Sequence, residues 1–166
     1  MRETVTHTFE PFVPQDATVL ILGTMPSPKS RELGFYYGHP QNRFWKTLAA
    51  VYGEVTPSTT SERKDFLTRH RIALWDTLAS CDIQGANDAS IQNPVPNDIG
   101  SLLASHPIQV IFTTGAKATA YYNRLILPKI GKEAIPLPSP SPANCRFHTE
   151  ASLAEAYRVI RAYTES

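Results

Sequence analysis

The sequence predicts an α/β fold: a three-layer αβα domain built on a central four-stranded parallel sheet. Three observations predict it. Four short apolar runs, Thr18-Val-Leu-Ile-Leu22, Ile72-Ala-Leu-Trp-Asp76, Val110-Ile-Phe-Thr113 and Ala134-Ile-Pro-Leu137, are continuous rather than alternating, as strands buried on both faces are. Stretches with helical spacing of apolar residues separate the runs. No hairpin signal joins any two of them, so the connections read as helical crossovers between parallel strands.

Taken in order, the first strand ends at Gly23 and opens a loop from Thr24 to Gln41. Asn42 to Val51 reads as a helix with Phe44, Trp45, Leu48 and Val51 on one side, and Ser61 to His70 as a second helix with Ser61 as N-cap and Phe66/Leu67 as its apolar contacts. After the strand Ile72–Asp76, the Asn-, Asp-, Ser- and Gly-rich stretch from Ala79 to Pro96 reads as a long irregular loop, a feature usually tied to function. Asn97 or Asp98 caps a helix running to Ser105, stopped by Pro107, and Ala116 to Leu127 is a helix behind the third strand. The fourth strand leads into Pro138-Ser-Pro-Ser-Pro-Ala-Asn144, and Thr149 or Glu150 opens a last helix to about Tyr163, with Leu153, Ala156, Tyr157 and Ile160 on one face. With 166 residues, no internal repeat and no linker, residues 1–166 read as one domain.

Composition excludes several classes. Hydrophobic residues make up 42% and charged residues 19%, a balance foreign to disordered tails, and the apolar runs are far too short to span a bilayer. No secretion signal is visible, so the expected compartment is the cytoplasm. Cys81 and Cys145 lack the spacing of a zinc site or a disulfide framework, and no metal or cofactor is expected. A net charge of +1 excludes a nucleic-acid binder that works by wholesale phosphate neutralisation. It leaves open an enzyme that grips a few phosphates through backbone amides and helix N-termini. The prolines cluster at Pro26/Pro28, Pro94/Pro96 and Pro136/Pro138/Pro140/Pro142, marking stiff, extended loops.

Ligands of parallel sheets bind outside the carboxyl ends of the strands, so the loops after Leu22, Trp75, Thr113 and Leu137 carry the search for chemistry. The densest is Gly23-Thr-Met-Pro-Ser27 with Gly34-Phe-Tyr-Tyr-Gly-His-Pro-Gln-Asn-Arg-Phe-Trp45. Glycines there let the backbone approach a flat ligand on which Tyr36 or Tyr37 could stack; an aromatic cluster covering the sheet end is the structural alternative. Asn42 suits a helix N-cap and equally the reading of a nucleobase edge or the holding of a water, since an amide has two donors and an acceptor. His39 has no carboxylate beside it in sequence. Asp76, at a strand end, is the best-placed acid for general-base work, or else caps a turn. The Pro138–Asn144 loop is stiff and studded with hydroxyls, suited to holding phosphates or wedging into a duplex.

These segments resemble the first and second motifs of the uracil-DNA glycosylase superfamily. Gly23-Thr-Met-Pro-Ser27 lies where the mismatch-specific uracil/thymine branch carries Gly-Ile-Asn-Pro-Gly, and His39-Pro-Gln-Asn-Arg-Phe-Trp45 is similar to that branch's His-Pro-Ala-Asn-Arg-Phe-Trp. Pro138–Asn144 sits where the superfamily keeps its DNA-inserting loop. Met25 replaces the usual water-positioning Asn or Asp of the first motif, and Ser139 stands at the second-motif His or Asn of uracil-specific branches; a thioether cannot orient water through strong hydrogen bonds. With Leu74-Trp-Asp76 and Asn93-Pro-Val-Pro-Asn-Asp98, the set most closely resembles the hypoxanthine-DNA glycosylase branch.

The resemblance implies a monofunctional DNA glycosylase that flips a deaminated base, hypoxanthine above all, out of double-stranded DNA and hydrolyses its N-glycosidic bond in base excision repair. Asn42 is then the catalytic residue. Gly23, Thr24, Met25, Tyr37 and His39 bind the base, and Ser27, Ser139, Ser141, Pro142, Ala143 and Asn144 contact DNA. Lys117 and Arg43 are expected to be phosphate contacts or surface charges. No lysine stands as an obvious nucleophile, so hydrolysis without strand cleavage is expected, by a monomer associated with the nucleoid. The alternatives are a mismatch uracil/thymine glycosylase, a module that binds deaminated DNA without cutting it, and a nucleotide-binding domain, for which no Gly-x-Gly-x-x-Gly or P-loop speaks.

Overall fold

A computed structural model of the chain describes residues 3–6, 10–24, 35–84, 87–144 and 148–164. In chain order the elements are β1 (Glu3–Thr6), β2 (Val19–Gly23), α1 (Phe44–Tyr52), α2 (Thr60–Arg69), β3 (Ile72–Asp76), β4 (Leu78–Gln84), β5 (Asn87–Pro96), α3 (Ile99–Ser105), β6 (Val110–Thr114), α4 (Ala116–Tyr121), a π-helical turn (Tyr122–Ile126), α5 (Leu127–Ile130), β7 (Ile135–Leu137), a 3-10 turn (Pro142–Asn144), α6 (Glu150–Tyr157), a second 3-10 turn (Arg158–Ile160) and α7 (Arg161–Thr164).

The four apolar runs become one parallel sheet in the order β3-β2-β6-β7, flanked by helices as an αβα fold requires. β2, β3 and β6 are buried at every position, which is why their sequences carry no alternation. The chain leaves β2 toward β3 and returns across it to β6, so the order reverses between β2 and β6, and a ligand crevice is expected outside the carboxyl ends of that pair. The segment before β2 comes back against the outer edge of the sheet, where Phe12 and Leu74 exchange two backbone hydrogen bonds of 2.9 Å. Leu20, Ile21, Leu48, Phe66, Ile111 and Phe112 are among the core side chains with almost no exposure. α1 packs along α6, with Leu153, Tyr157 and Ile160 fully covered and Ala156 partly so, the face that the spacing predicted.

The structure differs from expectation in three places. The stretch from Ala79 to Pro96 is not an irregular loop. Its described residues lie in β4 and β5, which pair antiparallel and, with β1 on the other side of β4, make a second, three-stranded sheet. Its register slips between Leu78/Ser80, Ser80/Asp82 and Asp82/Gln84, so buried Leu78 and Cys81 stand three residues apart rather than two. Asn93, at φ 53°, sits in the second slip, where β5 carries an extra residue. Bulges of this kind erase the period-two signature by which strands are recognised.

The cap of α2 is Thr59 rather than Ser61. Thr59 Oγ1 accepts from the Glu62 N–H (3.1 Å), and Glu62 Oε1 accepts from the Thr59 N–H (3.2 Å), a reciprocal capping box. The helix expected over Ala116 to Leu127 begins where predicted but continues to Ile130 and is interrupted by the π turn. Pro128 lacks the N–H that an α-helix would need there, and the wider turn just before it absorbs the mismatch. Elsewhere Asp98 caps α3 through the Ser101 N–H (3.2 Å) and Thr149 caps α6 through the Ser152 N–H (3.1 Å). Among the described residues no helix is long and apolar enough to cross a membrane, and no cluster of side chains suits a metal ion.

Candidate active site

The last rung of the sheet gathers polar groups from three strands. Gly23 ends β2 opposite Asp76 at the end of β3, and Thr114 closes β6 beside them. Asp76 is 6% exposed, Thr114 7% and Thr24 8%, so these side chains form a floor rather than a rim. The ladder continues one step past the strands: the Thr77 N–H donates to the Gly23 carbonyl (2.7 Å) and the Leu78 N–H to the Thr24 carbonyl (3.2 Å). Asn97 Nδ2 donates to the Asp76 carbonyl (2.8 Å), which ties the end of the Asn93–Asp98 motif to the rung, while Asn93 reaches instead to Asp82 (2.7 Å) in the second sheet.

Tyr37 lies over this floor. Its hydroxyl shares a hydrogen bond with Thr114 Oγ1 (3.2 Å), and its ring stacks on Phe44 at 3.8 Å between centroids. A Cβ placed on Gly23 would come within 2.9 Å of Asp76 Oδ1 and 3.2 Å of the Tyr37 hydroxyl, so glycine is required there by the convergence of side chains. Tyr37 itself is held at φ 52°, in the left-handed region a tyrosine seldom adopts. Burial first, and then the Asp76 carboxylate, push its phenol well above the ordinary tyrosine range, so it stays neutral. Tyr36 faces the opposite way: it is buried, and its hydroxyl donates to the Glu10 carbonyl (2.8 Å), which makes it part of the core rather than a stacking surface.

The His39–Trp45 segment turns tightly into α1. The Asn42 N–H donates to the His39 carbonyl (3.0 Å), and His39 Nδ1 accepts from the Gln41 N–H (3.1 Å), which in the neutral ring leaves the proton on Nε2. Asn42 Oδ1 accepts from the Phe44 N–H (2.9 Å), an Asx-turn bond to the first residue of α1; the N-cap position is Arg43, which makes no side-chain capping bond, so Asn42 steadies the helix start from one residue before the cap it was expected to be. The same bond fixes which end of the amide is which. The two Nδ2 donors meet no acceptor among the described residues, on a side chain that is half-buried.

Arg43 is neither a surface charge nor free for a phosphate. Its N–H donates to the Pro140 carbonyl (3.0 Å), Nη2 to the Ser141 carbonyl (3.3 Å) and Nη1 to the His148 carbonyl. The proline-rich loop is braced from within as well. The Ser141 N–H donates to Ser139 Oγ (3.1 Å), Asn144 Nδ2 to the Ser139 carbonyl (3.0 Å), and the Asn144 N–H to the Ser141 carbonyl (3.0 Å). Buried Tyr157 donates to the Pro138 carbonyl (2.6 Å). Pro142, Ala143 and Asn144 form the 3-10 turn at the far end of this loop. Beside it, between the start of α4 and the loop, runs an open groove of about 660 Å³ lined in part by Gly115, Thr119, Asn123, Ser139, Asn144 and His148. Lys117 is exposed in the first turn of α4.

Of the expected site residues, Gly23, Thr24 and Tyr37 meet at one rung, while Asn42 and His39 stand on the segment that Tyr37 belongs to. Ser139, Ser141 and Asn144 are drawn to the same region through Arg43, although Ser139 and Asn144 spend their polar groups on the loop's own shape. Met25 and Ser27 lie outside the described residues. Sequence reasoning missed Thr114, which had no motif to mark it, and left Asp76 undecided. Their shared position at the carboxyl end of a buried strand is the signal that could have found both.

The model of the uracil DNA glycosylase superfamily matches residues 10–161. A protein of Methanosarcina acetivorans named hypoxanthine DNA glycosylase is 34% identical over 141 residues, covering 84% of this chain and 88% of that one. Its namesake in Methanosarcina barkeri is 32% identical over 154 residues, covering 90% and 96%. A solution NMR structure from Methanosarcina acetivorans, provisionally described as a uracil DNA glycosylase, superimposes with a TM-score of 0.77 at 31% identity over 92% of this chain and 96% of its own.

Proposed function

The chain belongs to the uracil DNA glycosylase superfamily, and from that premise we propose that it is a hypoxanthine-DNA glycosylase working through Asn42. Water adds across the bond between C1′ and N9 of deoxyinosine, its oxygen going to C1′ and a proton to the departing base, to give free hypoxanthine and an abasic site. The strand stays intact. The observation that carries the reading is the divided amide of Asn42: its oxygen is held by the Phe44 N–H, while its Nδ2 donors meet no acceptor among the described residues, on the same segment that carries Tyr37.

As the glycosidic bond breaks, the sugar takes on oxocarbenium character and the base negative charge. Donors fixed in advance at the base stabilise that charge without reorganising. Asn42 Nδ2 supplies such a donor, and His39, whose Nδ1 is taken by the Gln41 N–H, offers a second through Nε2–H. Tyr37 offers the purine the ring face that Phe44 leaves free, beside the Gly23-Thr24 backbone, and Met25 is assigned to base binding with them. Asp76 contributes an acceptor at the floor, matching the N1–H that hypoxanthine has and adenine lacks; a bare adenine N1 there would face another acceptor. Ser27 and the loop of Ser139, Ser141, Pro142, Ala143 and Asn144 hold DNA phosphates and fill the space the base vacates, at an unstacking cost that is lowest for a mismatched pair. The enzyme acts on double-stranded DNA as a single chain, in the cytoplasm beside the nucleoid.

The test is a panel of duplexes carrying hypoxanthine, uracil, xanthine or an alkylated base, scored for base release. Hypoxanthine should be released fastest, without strand scission before alkali. Release of uracil alone, or tight binding with no release at enzyme excess, would overturn the assignment.

A further inference from the structure

Arg43 stands between two residues of the site, Asn42 and Phe44, yet all of its hydrogen bonds point away from them. Its three donors span the 3-10 turn of the proline-rich loop: Pro140 and Ser141 are gripped before the turn, His148 after it. All three acceptors are backbone carbonyls, and no carboxylate neutralises the guanidinium among the described residues. Its Nε is buried and finds no partner there. A cation placed so is costly unless its geometry matters, because carbonyls alone repay little of its lost hydration. The forked, planar head reaches two chain segments at once, which a lysine cannot do.

We propose that Arg43 is a positioning residue that presets the DNA-inserting loop against the helix carrying Asn42. The inference rests on the glycosylase reading above. Loop and amide are then anchored at consecutive residues, so the loop enters the duplex at a fixed height relative to the donor that receives the base. Loosening the tie should impair extrusion and spare the chemistry, since Asn42 keeps its own anchor on the Phe44 N–H.

The experiment compares single-turnover release of hypoxanthine from a duplex and from the same oligonucleotide single-stranded, where no stacked pair has to be opened. Arg43→Met should slow the duplex reaction about 30- to 100-fold, the cost of a misplaced positioning group, and leave the single-stranded rate within about threefold. Arg43→Lys should match Arg43→Met within about threefold on the duplex, because it restores charge but not reach. Equal losses on both substrates, an unchanged duplex rate, or recovery by lysine would each overturn the proposal. If Arg43→Met melts early, the lysine variant alone decides by the same criterion. Wild-type protein that releases hypoxanthine from neither substrate would sink the glycosylase reading and this inference with it, which distinguishes the two failures.

Discussion

Asn42 answers two demands with the two ends of one amide, and substitutions can separate them. Asn42→Ala removes both, so it should lower hypoxanthine release by about 100-fold or more through the lost donor and cost about 1 kcal/mol of stability through the lost hydrogen bond to the Phe44 N–H. Asn42→Asp keeps an oxygen for the Phe44 N–H and adds a favourable charge at a helix start. It should therefore melt at or above the wild-type temperature while remaining as inactive as Asn42→Ala. Recovery of turnover in Asn42→Asp would mean that the amide's donors are not what the reaction uses. Gly23→Ala tests the floor. Its Cβ would meet Asp76 Oδ1 at 2.9 Å and the Tyr37 hydroxyl at 3.2 Å, and the Asp76 side chain is buried, so a loss of about 1–3 kcal/mol is expected by chemical denaturation, together with loss of base release. At this scale the sequence was informative where a residue type has few uses. Asn42 suits a cap or a base-reading donor, and it holds the helix start through the Phe44 N–H from one residue before the cap position. It was uninformative for Arg43, whose long side chain acts on residues about a hundred positions away.

Elements behave differently, because their stability is set by local partners that a sequence reveals unevenly. The capping box of α2 is such a partnership: Thr59→Ala should cost about 1 kcal/mol and leave base release unchanged, which a thermal melt and a single-turnover assay would check together. The far end of α2 carries a second. Burial pushes the Glu54 carboxyl up, but hydrogen bonds from His70 (2.6 Å) and Arg69 (2.9 Å), with their charges, outweigh it and hold Glu54 below its ordinary 4.5. A depressed carboxyl pKa stabilises the fold above the unfolded value and loses that contribution as the pH falls through the folded one. The urea midpoint of the wild type should thus drop more between about pH 5 and about pH 3 than that of Glu54→Gln. The parallel strands were legible because full burial writes itself as an unbroken apolar run. β4 and β5 were not, since bulges and the left-handed Asn93 break their alternation and most of their length carries the polar residues of a loop. The Thr59 box was legible in principle, as Thr-x-x-Glu, and Ser61 was simply the wrong member of a polar cluster.

For the whole molecule, a net charge of +1 limits how DNA can be held. Each phosphate contact made by a cation releases counterions, and few cations are available near the site, with Arg43 occupied by the loop. Affinity for an inosine duplex should therefore fall with a slope of magnitude below about 4 in a log–log plot against salt, corresponding to about four neutralised phosphates or fewer. A steeper slope would mean that more cations than this reach the phosphates. The sheet itself has one further consequence. Its β3 margin is partly taken by the backbone of Phe12, and its β7 margin is only three residues long with Pro136, which has no amide hydrogen, at the centre. Neither flank offers a stranger's extended chain a run of free amides to zip onto, so this layer is guarded against fibril-like stacking and strand exchange between copies, even where heat or crowding brings molecules together.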